Sequence, residues 1–252
     1  MATFYNLNIK EVTQETADAV SVVFNIPENL TSEFHFSAGQ YITLQKEIDN
    51  NIIRRAYSIC STPESGEVRV AIKAVEKGVF STYATTLLKA GDALEISAPE
   101  GRFSLQPEAN KNYIGFAAGS GITPVLSMLK TVLETEPTAT FTLIYGNKSI
   151  AETLFFEALN SLKEIHSERL NLHYIFSRED VKNALRGRIN ENVTDFFVKS
   201  RYKETTFDAA YLCGPEAMIK EVSKTLTKNN VSKENIHFNF LLLPLTKKVL
   251  NK

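Results

Sequence analysis

Cysteine is scarce in this chain, and its scarcity excludes several kinds of site. Only Cys60 and Cys213 occur among the 252 residues. Two thiols are too few for a disulfide framework or for a four-thiolate metal or iron–sulfur site. The four histidines show no metal-ligand spacing either. We therefore predict no metal site and no iron–sulfur cluster in this chain.

Excess charge and long apolar runs are also missing. The net charge is −1 and 23% of the residues are charged, which is typical of a soluble globular protein and not of a nucleic-acid-binding or disordered one. The longest apolar stretch, 238–245, is far shorter than the roughly 20 residues that cross a bilayer, so we predict no membrane span. The N-terminus lacks a basic segment followed by an apolar run, and we expect a cytoplasmic protein without a secretory signal.

The hydrophobic pattern changes near residue 106, which predicts two domains, 1–106 and 107–252. The first shows short strand-like runs with one helix at 81–89, typical of a small antiparallel barrel, here of Greek-key type. In the second, short apolar runs alternate with helical stretches, which indicates an open parallel α/β sheet. Its predicted strands are 113–117, 141–145, 172–176 and 209–212, and its predicted helices are 124–133, 151–162 and 215–227.

A glycine-bearing turn joins the first strand and the first helix of the second domain. In Gly119-Ser120-Gly121-Ile122-Thr123-Pro124 the glycines allow tight turning and close approach of a phosphate. We expect Thr123 to cap the helix and Pro124 to stand in its first turn. Pro124 occupies the place of the third glycine of a Gly-x-Gly-x-x-Gly motif, which disfavours a plain Rossmann dehydrogenase. From this hexapeptide alone, an ordinary turn is an equally good interpretation.

Polar and basic residues follow the later strands at the same edge of the predicted sheet. Ser177 and Arg178 come directly after one strand, and Arg188 follows Gly187. A hydroxyl beside guanidinium groups suits a phosphate monoester, because arginine offers paired planar donors and a permanent charge. This pattern favours NADPH over NADH, and solvated surface arginines are the alternative.

Four motifs occur in an order that resembles the ferredoxin-NADP reductase superfamily. They are Gly39-Gln40-Tyr41, Arg55-Ala56-Tyr57-Ser58, the segment 73–81 and Cys213-Gly214-Pro215, with the turn 119–124 between the last two. The resemblance covers about residues 4–238 and is greatest to the reductase components of phenylacetyl-CoA oxygenase-type systems. It implies an FAD-binding barrel followed by a domain that binds a pyridine nucleotide.

The resemblance implies a role for each residue of the barrel motifs. Arg55 would pair with a flavin phosphate, Tyr57 would offer a flat face to the isoalloxazine ring, and Ser58 would hydrogen-bond near flavin N5. Gly78 and Ser81, at a predicted helix start, would receive the pyrophosphate. Without the resemblance, Tyr57 is an ordinary core residue and Ser81 an ordinary helix cap.

The resemblance also assigns the second nucleotide and the reaction. The pyrophosphate of NADPH would lie at the turn formed by Gly119, Gly121, Thr123 and Pro124, and its nicotinamide beside Cys213. Gly214 and Pro215 complete that second turn. Tyr57, Ser58 and Cys213 would then surround a hydride transfer from NADPH to flavin N5. Single electrons would leave for a separate acceptor, which could be a ferredoxin, a haem or an oxygenase centre.

The chain also departs from these relatives. They continue into a [2Fe–2S] domain, whereas no cysteine follows Cys213 here, and Asn239 stands where they carry an acidic residue. The tail 241–252 does not resemble them. A second hypothesis is therefore a non-catalytic, reductase-like module that binds flavin but is not reduced by NADPH. A third, a flavin-free dehydrogenase, leaves Arg55-Ala56-Tyr57-Ser58 unexplained.

Overall fold

The computed structural model describes residues 3–240, which form two sheets with different topologies. The divergent tail 241–252 lies outside the described residues, as does most of the apolar stretch 238–245. Each sheet has six strands.

The first sheet is antiparallel and closes into a barrel. Across the sheet the strand order is β4-β3-β6-β1-β2-β5, and a bridge between Ile59 and Val70 joins its two ends. This order confirms the predicted antiparallel Greek-key barrel. The strands are β1 (Phe4–Thr16), β2 (Ala19–Phe24), β3 (Tyr41–Ile48), β4 (Asn51–Ser58), β5 (Val68–Lys73) and β6 (Ala93–Ser97).

One helix, α1 (Val79–Thr86), packs against the barrel. Its Phe80 is fully buried and joins the barrel core, which includes Ile42 and Leu44 of β3. The sequence predicted this helix over 81–89. It begins two residues earlier because Gly78 is its N-cap, and it ends earlier because the backbone of Leu87 leaves the helical conformation.

The second sheet is entirely parallel, with the order β10-β9-β8-β7-β11-β12. This confirms the predicted open parallel-sheet domain. Its strands are β7 (Asn112–Ala118), β8 (Thr140–Asn147), β9 (Leu170–Phe176), β10 (Leu185–Arg186), β11 (Ala209–Gly214) and β12 (Ile236–Phe240). Its helices are α2 (Ile122–Thr135), α3 (Phe156–Ile165), α4 (Glu191–Asp195), a π-helical continuation of α4 (Phe196–Arg201), and α5 (Glu216–Lys228).

The order of this sheet reverses direction between β7 and β11. From β7 the chain moves outward through β8, β9 and β10, and then returns to the other side of β7 as β11. In open α/β sheets, ligands bind in the crevice that such a reversal opens at the carboxyl ends of the strands. The turn 119–124 follows β7, and Cys213-Gly214-Pro215 ends β11, so the fold brings these two motifs to one crevice.

Helix α3 differs from the prediction at its start. The sequence predicted a helix over 151–162, but residues 151–155 form turns, in which the Thr153 hydroxyl donates to the Ser149 carbonyl at 2.8 Å. Phe155 has a φ of 59°, a left-handed conformation that no α-helix continues through. No helix among residues 3–240 is long and apolar enough to cross a membrane.

The segment between β6 and β7 stays on the barrel before it enters the second sheet. Glu100 bridges Tyr41 of β3, and the Leu105 N–H donates to the Ala38 carbonyl at 3.0 Å. Within the same segment, the ring of Phe103 packs on Tyr211 of β11, with 5.9 Å between ring centroids. We keep the division at 106/107 as a proposal, because this segment contacts both halves.

Arg169 closes the end of α2 and gives a test of the stability of the second domain. Its guanidinium donates to the carbonyls of Leu133 and Glu136 at 2.8 and 3.0 Å. Hydrogen bonds from a charged donor contribute about 1.5–3 kcal/mol. We expect Arg169→Ala to lower the free energy of unfolding by about 2 kcal/mol in urea titrations followed by circular dichroism. The exposed Arg102→Ala is the control, and an equal loss in both variants would contradict the capping role.

Candidate functional site

The two neighbouring arginines of β4 differ in their surroundings. Arg54 lies over the ring of Phe4, with 5.0 Å from its guanidinium carbon to the ring centroid, and donates to the Gln45 side chain. The side chain of Arg55 is exposed, and the one hydrogen bond that its guanidinium makes within residues 3–240 goes to the Arg54 carbonyl at 2.7 Å. No carboxylate of the described residues forms an ion pair with Arg55. Its charge is therefore available to an anionic ligand.

Tyr57 lies half-buried two positions further along β4, on the same face as Arg55. Its ring packs on Phe80 of α1 with 5.9 Å between centroids, which places β4 beside the start of that helix. Burial raises the pKa of the Tyr57 hydroxyl, against the opposing effect of the Arg55 charge. Tyr57 therefore stays neutral at physiological pH. Ser58 ends the strand and is half-buried as well.

The start of α1 presents backbone N–H groups without partners. No acceptor within residues 3–240 receives the N–H of Val79, Phe80 or Ser81. The Ser81 hydroxyl is used inside the turn, where it accepts from the Val75 N–H at 3.2 Å and donates to the Gly78 carbonyl at 3.2 Å. It thus shapes the turn, and the amides are left to bind an anion.

These features fit FAD. A diphosphate requires N–H donors and a cation, and the start of α1 and Arg55 supply both. An isoalloxazine ring requires a flat partner that does not carry charge, and Tyr57 is such a group. The fit rests on side chains and amides that the rest of the described protein leaves without partners.

The turn before α2 presses directly against the end of β11. A Cβ on Gly121 would overlap the carbonyl of Cys213, so no side chain fits there. Gly119 has a φ of 55° and open space around it, which suits close approach of a ligand backbone or phosphate. The turn is held by the Tyr145 hydroxyl, which donates to the Gly119 carbonyl at 3.0 Å.

The predicted role of Thr123 as a helix cap was wrong. Gly121 is the N-cap of α2, and no side chain caps the helix. Thr123 lies within the first turn, where its hydroxyl donates to the Ser120 carbonyl at 3.0 Å. Pro124 does stand in the first turn, as predicted, where a missing N–H removes no helical hydrogen bond.

Cys213 lies at the crevice but its thiol is enclosed. The residue is 1% exposed, and burial raises its pKa to about 12. Next to it, Gly214 is buried against Met218 and Ala118, and Pro215 is the exposed N-cap of α5. A neutral, buried thiol does not act as a nucleophile, so the structure is compatible with a packing or positioning role only.

The short strand β10 ends at the same edge of the sheet as β9. Arg186 pairs with Phe176 of β9, and the Gly187 N–H donates to the Phe176 carbonyl at 2.8 Å. Ser177 and Arg178 directly follow β9, and Arg188 follows β10 after a bend at Gly187, so all three leave the sheet at this carboxyl edge. Arg178 and Arg188 are exposed, and neither forms an ion pair among the described residues. The result is an exposed basic edge.

The end of β4 is joined to β5 by the bridge between Ile59 and Val70. Strand β5 in turn contacts Gly119–Gly121, so the barrel meets the turn 119–124 at this strand. From the same strand, the Lys73 ammonium donates to the carbonyl of Glu152 in the second domain at 3.3 Å. A flavin held by the barrel and a nucleotide held by the turn would therefore meet at this junction.

Comparison with known proteins assigns each half of the chain to a domain family. Residues 6–105 match the family of the oxidoreductase FAD-binding domain, and residues 116–224 match the oxidoreductase NAD-binding domain. The chain is 39% identical, over 98% of its length and 70% of the relative's, to one of the subunits of 1,2-phenylacetyl-CoA epoxidase from Escherichia coli. It belongs to the ferredoxin-NADP reductase family. The resemblance found from the motifs is thereby confirmed, and the chain is a flavin-dependent oxidoreductase.

Solved structures at lower identity show the same fold. The FAD/NAD-binding domain of nitric oxide dioxygenase from Vibrio cholerae superposes with a TM-score of 0.80 at 22% identity, covering 93% of this chain and 97% of that one. A ferredoxin NADP+ reductase from Neisseria gonorrhoeae gives 0.78 at 21% identity, covering 95% and 99%. The first eight curated relatives are longer, and the chain spans between 58% and 70% of their length.

Two contributors to this reductase site were missed in the sequence. Tyr145 was assigned to a buried strand, and its only signal was a hydroxyl at the end of an apolar run. Strand β10 has just two residues, too short for any periodicity to show. Within residues 3–240 no three His, Cys, Asp or Glu side chains are grouped as a metal site would require.

The enclosure of both thiols predicts their reactivity. Cys60 and Cys213 are each at most 2% exposed, and burial raises the pKa of each to about 12. At pH 8 only on the order of one thiol in 10,000 would be ionised. We expect iodoacetamide to leave both unmodified in the folded protein at pH 7–10 and to label both in urea, as read by mass spectrometry. Rapid labelling of Cys213 at pH 8 would contradict its placement.

Proposed function

We propose that this chain catalyses the oxidation of NADPH through bound FAD and passes the electrons to a separate acceptor protein. Bound FAD would supply the acceptor for a hydride from the nicotinamide, at N5, and would hold the two electrons for release to the acceptor. The observation that carries the proposal is the junction itself: Tyr57 and Ser58 end β4, the bridge from Ile59 joins that end to β5, and β5 contacts the turn before α2.

In this proposal the barrel residues bind and orient the flavin. Arg55 and the free N–H groups that follow Gly78 at the start of α1, up to Ser81, bind the diphosphate. The Gly78 N–H itself donates to the Val75 carbonyl at 2.9 Å and shapes the turn. Tyr57 lies against the isoalloxazine ring, and its neutral hydroxyl adds no charge there. The Ser58 hydroxyl hydrogen-bonds near N5 and fixes the reactive edge of the ring.

The second domain binds the dinucleotide across the crevice. The turn formed by Gly119, Gly121, Thr123 and Pro124 receives the pyrophosphate at the helix start. Cys213, Gly214 and Pro215 shape the end of β11 where the nicotinamide lies. Because the Cys213 thiol is neutral and enclosed, it supports the end of β11 by packing beneath the ring and takes part in no covalent step.

The basic edge supports NADPH over NADH. Ser177 and Arg178 follow β9, and Arg188 follows β10, at the same edge of the sheet. Among the described residues neither arginine forms an ion pair with the neighbouring Glu179 or Asp180, and the Glu179 carboxylate accepts the Ile150 N–H at 2.7 Å. A 2′-phosphate monoester is the part of NADPH that NADH lacks, and two unpaired guanidinium groups suit it.

The acceptor is inferred from relatives. One is the epoxidase component named above, and another, from Rhodococcus rhodochrous, is the ferredoxin reductase component of a 3-ketosteroid-9-alpha-monooxygenase, 29% identical over 92% of this chain and 63% of its own length. We place the acceptor of this chain in the same class, an oxygenase component or the ferredoxin or haem centre that serves one.

An anaerobic visible spectrum tests the central reaction. We expect the yellow bands of the FAD-loaded protein to bleach within seconds when NADPH is added in equimolar amount, because the two cofactors meet at the junction. Dithionite serves as the control reductant, since it needs no nucleotide site. Flavin that dithionite bleaches and NADPH does not would identify a non-catalytic flavin-binding module instead, and failure to bind FAD would overturn the proposal.

Arg178→Ala tests the choice of nucleotide. Loss of a charge-assisted bond to phosphate is expected to raise the KM for NADPH by about 10- to 100-fold and to leave the KM for NADH within about 2-fold. The exposed Arg201→Ala, on the π-helical segment, is the matched control. Equal changes for the two nucleotides would contradict the phosphate contact.

A further inference from the structure

A buried hydrogen bond connects the two domains directly behind the junction. The Ser127 hydroxyl of α2 donates to the Ser61 carbonyl of the barrel at 2.6 Å, and Ser127 is fully buried. The two residues are 66 positions apart in the chain. Because a buried carbonyl without a donor is costly, this bond specifies one arrangement of the two domains.

Each of the two bonded residues lies only a few positions from one of the cofactor motifs. Ser61 follows Ser58 by three residues, and Ser127 follows Gly121 by six residues, all of them within α2. A helix of this length is about 9 Å long and rigid. The position of the flavin strand is therefore tied to the position of the nucleotide turn through one donor and one acceptor.

A second contact at the same interface restricts the same motion. Gly39, with a φ of 100°, packs so closely against the Met128 side chain and the Phe103 carbonyl that a Cβ would overlap both. Met128 is the neighbour of Ser127 on α2 and is fully buried. Apolar packing of this kind limits the separation of the domains but is not directional. The Ser127 bond is directional and, unlike the longer, partly buried Lys73–Glu152 bond, is fully enclosed, so it restricts the orientation of the domains more tightly.

We propose that Ser127 is a positioning residue for hydride transfer, acting through the orientation of the two domains and not by contact with either cofactor. The inference rests on the proposed function. Transfer requires the reacting atoms about 3–3.5 Å apart, and a displacement of about 1 Å costs roughly 100-fold in rate. A bond that fixes the domain orientation therefore controls the rate of transfer more than the affinity for either nucleotide.

The kinetic test compares three variants of α2. In Ser127→Ala we expect stopped-flow reduction of the flavin at saturating NADPH to slow by about 10-fold, with the apparent KM for NADPH and the rate of dithionite reduction unchanged. Ser127→Thr keeps the hydroxyl and is expected to restore most of the rate. Thr131→Val is the matched control, because its buried hydroxyl donates at 2.7 Å to the Ser127 carbonyl within the same helix.

A second readout needs no cofactor. Cys60 and Cys213 are buried, so spin labels attached to Ser32→Cys and Lys220→Cys would report one distance between the domains. Pulsed electron spin resonance is expected to give a single narrow distance for the parent and for Thr131→Val. The distribution should broaden or shift in Ser127→Ala, because the directional contact is lost.

The outcomes separate the two proposals. If NADPH reduces the parent flavin, and Ser127→Ala reacts at the parental rate or keeps the parental distance distribution, the positioning role is overturned. A slow reaction with broadened distances, restored by Ser127→Thr, supports it. If NADPH does not reduce the parent, the proposed function fails, while the spin-label distances still decide whether Ser127 orients the domains.

Discussion

The packing of helix α2 against both domains is the constraint on which the site depends. Its start is pressed against the carbonyl of Cys213, its middle donates to the barrel through Ser127, and its end is closed by Arg169. Three separate contacts thus hold one helix, and eleven of its fourteen residues are buried. Because this helix is held at both ends and in the middle, it is rigid, and a shift of one cofactor motif would shift the other with it.

The chemistry of the junction follows from the charges and hydrogen-bond donors that have no partner within the described part of the chain. Several charges elsewhere in the described part of the chain are paired, as Arg69 is with Glu11 and Glu67. At the site, Arg55, the first amides of α1, Arg178 and Arg188 lack such partners. In the proposed function these groups serve as donors and cations for two anionic cofactors, while Tyr57 and Cys213 are both held neutral by burial.

The sequence predicted the two sheets, their kinds and the family, because alternating and continuous apolar runs and four ordered motifs are local signals. It did not predict the cap of α2, since Thr123 lies two residues inside the helix and only the contact of Gly121 with a distant strand fixes the start. The start of α3 was misplaced because Phe155 adopts a left-handed backbone conformation, which a phenylalanine in the sequence does not predict. The Ser127–Ser61 bond joins residues from different domains, and no local pattern encodes such a pair.

The two glycines of the nucleotide turn are required for different reasons. At Gly119 the limit is the backbone angle, with open space around the Cα, whereas at Gly121 the limit is space and the angle is ordinary. Asparagine tolerates left-handed backbone, so position 119 admits a small polar replacement that could itself reach a ligand. Position 121 admits no side chain of any chemistry. Of the two glycines, residue 119 is therefore open to substitution and residue 121 is closed to it, although both lie in the same short turn.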